Sequence, residues 1–295
     1  MHEPVLKEEV LRYLDPKPGY VVLDATVGGG GHSEAILEKI LPGGKLFGFD
    51  QDSAALERTR ERLSRFGDSV HLIETNFRNL DQALSKYPAL KFDSILLDLG
   101  FSSDQIDDPL RGFSFRIDAP LDMRMSLKSE VTAADLINSL PEREIADIFY
   151  KFGEEHRSRY FARAVVEARR KSPIHTTLEL ANLIEKTAGG RHGKTHPATK
   201  VFQALRIAVN DELGAVEETV PKALQALKAE GRLAVITFHS LEDRIVKNVF
   251  KAKEKEGIIN ILTRKVVAPT REEYLKNPRS RSAKLRVAER RTIEL

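Results

Sequence analysis

The stretch YVVLDATVGGGGHSEAIL, Tyr20–Leu37, decides the fold. Its apolar opening, Tyr20–Asp24, reads as a buried strand that ends on an acid. A glycine loop, Val27–Gly31, comes next, and glycine lets a backbone turn tightly and approach a ligand closely. A helical pattern follows over Ser33–Leu41 and stops at Pro42–Gly43–Gly44. Working outward, the same grammar repeats. Lys45–Phe49 is a second strand closing on Asp50, and Ser53–Phe66 is a charged amphipathic helix with Ser53 placed as its N-cap. Val70–Glu74 is a third strand ending near Asn76–Phe77, and Phe92–Leu97 is a fourth closing on Asp98. Upstream, Val5–Leu14 has helical apolar spacing. Strands separated by helices at this interval mean βαβ units and a parallel sheet.

Past Gln105 the pattern changes. Asp107–Met125 is polar and turn-rich, and four helical patterns follow over Ala133–Leu140, Glu142–Lys151, Glu155–Lys171 and Leu178–Ala188. Gly189–His196 is a glycine- and histidine-bearing basic loop. Ala198–Lys228 reads as one long helix broken near Pro221. Strand character returns at Arg232–Phe238, followed by a helix over Leu241–Lys253 and closing strands over Ile258–Leu262 and Leu285–Ile293. The economical reading is one α/β sheet, residues 1–108 and 208–295, interrupted by a helical insertion over 109–207.

Composition narrows the chemistry. The chain has 295 residues and no cysteine, which removes disulfides, thiolate nucleophiles, Cys-ligated zinc and iron–sulfur clusters. Nothing in the sequence asks for a metal. No apolar run approaches the ~20 residues that span a bilayer, and the amino-terminal residues do not resemble a secretory signal. A cytoplasmic or organelle-matrix location is expected. The net charge of +3 hides an asymmetry: residues 1–110 carry 12 basic against 19 acidic groups, and the remainder carries 35 against 25. An acidic first part and a basic remainder suit a small-molecule site beside a polyanion-binding surface.

Ligands of open α/β sheets bind at the carboxyl ends of the strands. Here those ends carry Asp24 with the glycine loop, then Asp50, Phe77 and Asp98. An acid at the end of the second strand suits ribose hydroxyls. This describes either a dinucleotide site or an S-adenosylmethionine site. The loop holds no Lys or Arg and is flanked by acids, a field that repels pyrophosphate and attracts a sulfonium and an ammonium. S-adenosylmethionine is therefore favoured. His32 is either a ligand contact or a locally satisfied helix-start residue. Asp98 and Phe101 either fill the places where amino-methylating enzymes hold a base, although the usual prolines are missing, or Asp98 touches only the cofactor and Phe101 lies in the core. The rival readings are a nicotinamide-dependent oxidoreductase and a non-catalytic RNA-binding protein on the same fold.

The segments TVGGGGHS (Thr26–Ser33), DLGFSSDQID (Asp98–Asp107), RGFSF (Arg111–Phe115), PLDMRM (Pro120–Met125), HPATKVFQALRIAVNDEL (His196–Leu213), FHSLEDRIVK (Phe238–Lys247) and NPRSRSAKLRVAER (Asn277–Arg290) occur in one order across nearly the whole chain. In these the chain resembles the MraW/RsmH family of bacterial S-adenosylmethionine-dependent methyltransferases. The resemblance implies an α/β, class I methyltransferase fold, Rossmann-like and mostly parallel, with an inserted helical domain that recognises RNA. It implies methylation of the exocyclic N4 amine of a cytidine in the decoding region of small-subunit ribosomal RNA, within an assembled or nearly assembled 30S subunit. By the same resemblance Gly30, Gly31 and His32 meet the methionine portion, Asp50 the ribose, Phe77 the adenine, and Asp98 and Gln105 the amino-acid end. On the acceptor side Asp122 and His239 are the candidate catalytic residues, with Phe101. Asp122 can instead pair with Arg124, and Ser240 with Glu242–Asp243 can simply cap a helix. RNA contacts are expected from Arg157, Arg159, Arg163, Arg169, Arg170 and Lys171, and from Arg279, Arg281, Lys284 and Arg286. A monomer and a homodimer both stay open.

Overall fold

The computed structural model describes residues 4–100, 108–191, 193 and 195–292. Among the described residues seven strands form one sheet: β1 (Val21–Asp24), β2 (Lys45–Asp50), β3 (Val70–Glu74), β4 (Phe92–Asp98), β5 (Leu227–Thr237), β6 (Ile259–Ile261) and β7 (Lys284–Arg290). Their order is β3-β2-β1-β4-β5-β7-β6. The pairs from β3 through β5 are parallel, with Asp24 level with Gly48 and Leu96, and Asp98 level with Ile236. β7 alone runs the other way, inserted between β5 and β6.

Alternate side chains of a strand point to opposite faces, and this sheet buries both. Leu23, Phe47, Phe49, Ile95, Leu97, Leu233 and Val235 enter one core, while Val22, Leu46, Leu96, Ala234, Ile236, Leu285 and Val287 enter the other. That is why these strands read as continuous apolar runs rather than alternating ones.

The chain divides into two compact units, Met1–Gly100 with Leu213–Leu295, and Phe101–Glu212. The division falls eight residues before the 108/109 boundary and five after the 207/208 boundary read from the sequence. The helix Thr199–Asn210 buries Val201, Phe202, Ala204 and Leu205 in the core of the second unit, so that unit keeps the chain past residue 207. The second unit is helical, built on Ala133–Ser139, Glu142–Gly153, Ser158–Arg169, Thr177–Thr187 and Thr199–Asn210. Among the described residues no helix is long and apolar enough to cross a membrane.

Three local expectations need correction. The helix Ser53–Leu63 is capped by Asp52, whose carboxylate accepts from the Ala54 N–H at 3.0 Å, not by Ser53. The long pattern after Ala198 breaks at Asp211, which adopts a left-handed φ of 46°, and Pro221 lies inside the following helix, Glu212–Ala226. The fifth sequence-read strand starts early, since β5 extends back to Leu227.

Candidate functional site

The carboxyl ends of β1, β2 and β4 bring Asp24, Asp50 and Asp98 to one edge of the sheet, around the glycine loop. Gly28 (φ 51°) and Gly30 (φ 75°) sit in the left-handed region that favours glycine. Gly31 is needed for a different reason: a Cβ there would lie 2.5 Å from Cγ of Pro4. The loop is held from below, where the Gly28 N–H donates to Oδ2 of Asp50 at 2.9 Å and the Thr59 hydroxyl donates to the Gly28 carbonyl at 2.6 Å. Asp50 also accepts the Asp52 N–H at 2.9 Å, so its carboxylate is fixed by two backbone donors. Burial still pushes its pKa up, against those two bonds.

Asp24 is almost fully buried. It accepts the Ser33 hydroxyl at 2.6 Å and the Thr26 N–H at 3.2 Å. Burial raises its pKa to about 6, with Asp50 adding to the rise and the Ser33 and Thr26 bonds opposing it. The Thr26 hydroxyl in turn accepts the Asp98 N–H at 2.6 Å and ties β1 to the end of β4. The pKa of Asp98 is pushed up to about 7 by burial, then by Asp24 and Glu242, against the Gly100 N–H. Its Oδ1 has no hydrogen-bond partner among the described residues.

His32 lies in the first turn of the helix Gly31–Ile40 and is 8% exposed. Burial lowers its pKa to about 4, outweighing a hydrogen bond to the Val5 backbone, and Lys7 lowers it further. The ring is therefore neutral near pH 7. Its Nε2, 3.7 Å from Oδ2 of Asp98, has no hydrogen-bond partner among the described residues. Buried polar atoms are normally satisfied, so such exceptions call for an explanation, and a bound ligand is one. Phe77 opens a short 3₁₀ turn after β3 and packs against one core, with Asn76 capping the turn through a bond from the Arg78 N–H.

The structure thus gathers Gly30, Gly31, His32, Asp50, Asp98 and Phe77 at the strand ends. Phe101 and Gln105 lie outside the described residues. Asp122 belongs to the second unit, where it forms a two-pronged ion pair with Arg124 at 2.8 and 2.7 Å and also accepts the Arg124 N–H. Burial opposes its ionisation, and the Arg124 bonds win, leaving its pKa below the usual carboxylate range. His239 follows β5 and is itself the N-cap of the helix Ser240–Lys255. That place was read for Ser240. Sequence reasoning missed Thr26 and Ser33 as the groups that hold Asp98 and Asp24, and it missed the burial of Glu242. The spacing H-x-x-E carried the last signal, since it places an acid at the third helical position.

Several of the basic side chains have structural partners. Arg157 lies over the Phe161 ring, Arg163 pairs with Glu167, Arg169 donates to the Ile137 and Leu140 carbonyls, and Arg286 pairs with Asp243. Arg159, Arg170, Lys171 and Arg281 are exposed and make no ion pair among the described residues.

A parallel sheet in this order with one reversed interior strand, and carboxylates at the strand ends beside a glycine loop, defines a class I methyltransferase fold. Residues 1–291 match the MraW methylase family, and the chain belongs to that family. It is 49% identical to the ribosomal RNA small subunit methyltransferase H of Dehalococcoides mccartyi, over 98% of this chain and 86% of that protein. It is 48% identical to the protein of the same name from Heliobacterium mobile, over 98% of each. Among solved structures, a putative rRNA methylase from Clostridium thermocellum covers 98% of this chain and 100% of its own, at 13% identity and a TM-score of 0.47.

Proposed function

We propose that this chain is an S-adenosylmethionine-dependent methyltransferase of small-subunit ribosomal RNA, and that it methylates the exocyclic N4 amine of a cytidine in the decoding region. The observation that carries the reading is the cluster of Asp24, Asp50 and Asp98 around a glycine loop, with Oδ1 of Asp98 and Nε2 of His32 left as acceptors. A ligand that brings N–H donors and positive charge answers those acceptors, and a pyrophosphate does not. S-adenosylmethionine, when bound, supplies an electrophilic methyl group on a sulfonium. The names of the relatives support the RNA substrate.

In this reading Asp50, steadied by the Gly28 and Asp52 N–H groups, accepts from the ribose hydroxyls with its remaining lone pairs. Phe77 lies along the adenine. Gly30 and Gly31 let the backbone approach the methionine portion, and Asp98 with His32 accepts from its ammonium. Gln105 completes that end. The chain's task at the acceptor is to align the amine with the methyl, because in-line displacement gains most of its acceleration from orientation. A cytosine amine has its lone pair delocalised into the ring, so holding and desolvating it matters more than a strong base. The unit Phe101–Glu212 recognises the RNA, with Arg159, Arg170 and Lys171 meeting phosphates or stacking on bases. The substrate is an assembled or nearly assembled small subunit in which the base can be reached.

Nucleoside mass spectrometry of small-subunit RNA from cells with and without this protein tests the reading. The expected result is an N4-methylated cytidine that disappears with the protein. An unchanged modification profile, or tight nicotinamide binding with none for S-adenosylhomocysteine, overturns it.

A further inference from the structure

The turn after β5 holds a polar atom that none of the roles assigned above uses. His239 caps the helix Ser240–Lys255 through its ring, since the Glu242 N–H donates to Nδ1 at 3.3 Å. The carboxylate of Glu242, 1% exposed, turns back and accepts from the Phe238 N–H at 2.8 Å and the His239 N–H at 3.2 Å. The backbone on both sides of the ring is thereby fixed. With Nδ1 accepting, the hydrogen-bond network assigns the ring proton to Nε2, which makes Nε2 a donor. The side chain is only 10% exposed. Oε1 of Glu242 lies 3.1 Å to one side of Nε2 but out of line, and Nε2 has no hydrogen-bond partner among the described residues.

Its neighbourhood identifies the missing acceptor. β5 pairs with β4, and Ile236 is level with Asp98. The Phe238 ring lies where a Cβ on Gly100 would stand, 2.7 Å away, so the turn bearing His239 packs against the Asp98–Gly100 turn. Asp24, Asp50, Asp98 and His32 present acceptors at this edge, suited to the ammonium and hydroxyls of the cofactor. His239 presents a donor, which those groups do not require. Cytosine carries a ring acceptor, N3, directly beside its N4 amine, whereas uracil carries an N–H and a carbonyl in those places.

We propose that His239 is the residue that reads the target as cytosine, donating from Nε2 to ring N3 beside the amine that receives the methyl group. The inference rests on the N4-cytidine reading above. It makes His239 a specificity-determining contact rather than a base, and no proton leaves the ring during transfer. A uracil in the same pose would set its N3–H against the Nε2–H, leaving two donors face to face in a water-poor site.

The test is a double cycle on methyl transfer from labelled S-adenosylmethionine to small-subunit RNA that carries cytidine or 3-deazacytidine at the target position. In 3-deazacytidine a C–H replaces N3. The wild type is expected to lose about 10- to 100-fold in kcat/KM on the deaza substrate. His239→Asn keeps a good N-cap side chain but does not reach as far. It is expected to lose a similar factor on cytidine and nothing further on the deaza substrate. Losses that multiply in the double change, or a wild type indifferent to the deaza substitution, overturn the proposal without help from the variant's folding. S-adenosylhomocysteine affinity in His239→Asn is expected to stay within about twofold. A fall as large as the loss in transfer would assign the donor to the cofactor carboxylate and sink the proposal. A wild type inactive on the cytidine RNA would instead strike the N4 reading itself, so the two failures are distinguishable.

Discussion

Polar side chains are handled differently in the two units. In the helical unit they find each other locally. Asp122 locks Arg124, Thr132 with Asp135 and Thr176 with Glu179 form reciprocal capping boxes, and Asn138 bonds both the carbonyl and the N–H of Ile174. At the sheet's carboxyl edge three acids crowd together, and His32, Asp98 and His239 each keep a buried atom unmatched. A fold tolerates such an atom singly, as Oγ1 of Thr219 shows, although each unmade bond costs about 1–3 kcal/mol; His32, Asp98 and His239 hold three of them. Retained together at one edge, they mark where a ligand supplies the missing partners.

Asp98→Asn attacks the contrast most directly. Methyl transfer is expected to fall on the order of 100-fold. The same variant has a signature in the ligand-free protein. Asp98 titrates at about 7 when folded and at 3.8 when exposed, so the folded chain holds a proton that the unfolded chain has released. Stability present at low pH is therefore lost as pH rises through about 7. His32, at about 4 folded against 6.5 exposed, acts in the opposite direction at lower pH, and Asp24 titrates near 6. Above 6.5 the change belongs mainly to Asp98. The wild-type melting temperature is expected to fall from pH 6.5 to about 8 while affinity for a sulfonium ligand rises. Asp98→Asn should flatten both slopes, and a flat wild-type profile would break the contrast.

Asp122→Ala probes the other side. It removes a part-buried ion pair with a further backbone bond, and unfolding stability should drop by about 1–2 kcal/mol with S-adenosylhomocysteine affinity unchanged. Loss of methyl transfer with fold and ligand affinity intact would instead place Asp122 on the substrate. The smallest effect is at the surface. Arg159→Ala should lower the salt dependence of RNA binding by about 0.7–0.9 in logarithmic slope if it meets one phosphate. Arg163→Ala, already tied to Glu167, should change it less. Equal slopes for Arg159→Ala and wild type would remove that helix face from the RNA surface.

These differences also explain what the sequence could disclose. Strand-end acids were legible because a buried parallel strand is an apolar run, and an acid that closes one stands out: Asp24, Asp50 and Asp98 all do so. The glycine loop was legible for the same reason. Caps were less so, because Asp52 and Ser53, or His239 and Ser240, differ by one residue, and side-chain geometry selects between them. The helix break was assigned to Pro221, the strongest local breaker, while Asp211 makes the turn by taking a left-handed conformation that composition does not announce. On the acceptor side, Asp122 was chosen for its residue type within the PLDMRM motif, and His239 within FHSLEDR because it also follows a strand. Their partners, Arg124 and Glu242, stood two and three residues away, but only folded geometry assigns those bonds. The choice between an electrostatic prop and a working group is made by what remains unbonded.

The reversed strand has a consequence for biosynthesis. β7 is the last strand in chain order, yet it occupies an interior lane and supplies β6 with its neighbour. A nascent polypeptide that has delivered β1 to β5 still presents β5 with a bare flank, and β6 must wait beside it until Lys284–Arg290 has emerged. Premature termination shortly before that segment would therefore remove two lanes rather than one, and would expose the kind of open edge on which chains aggregate.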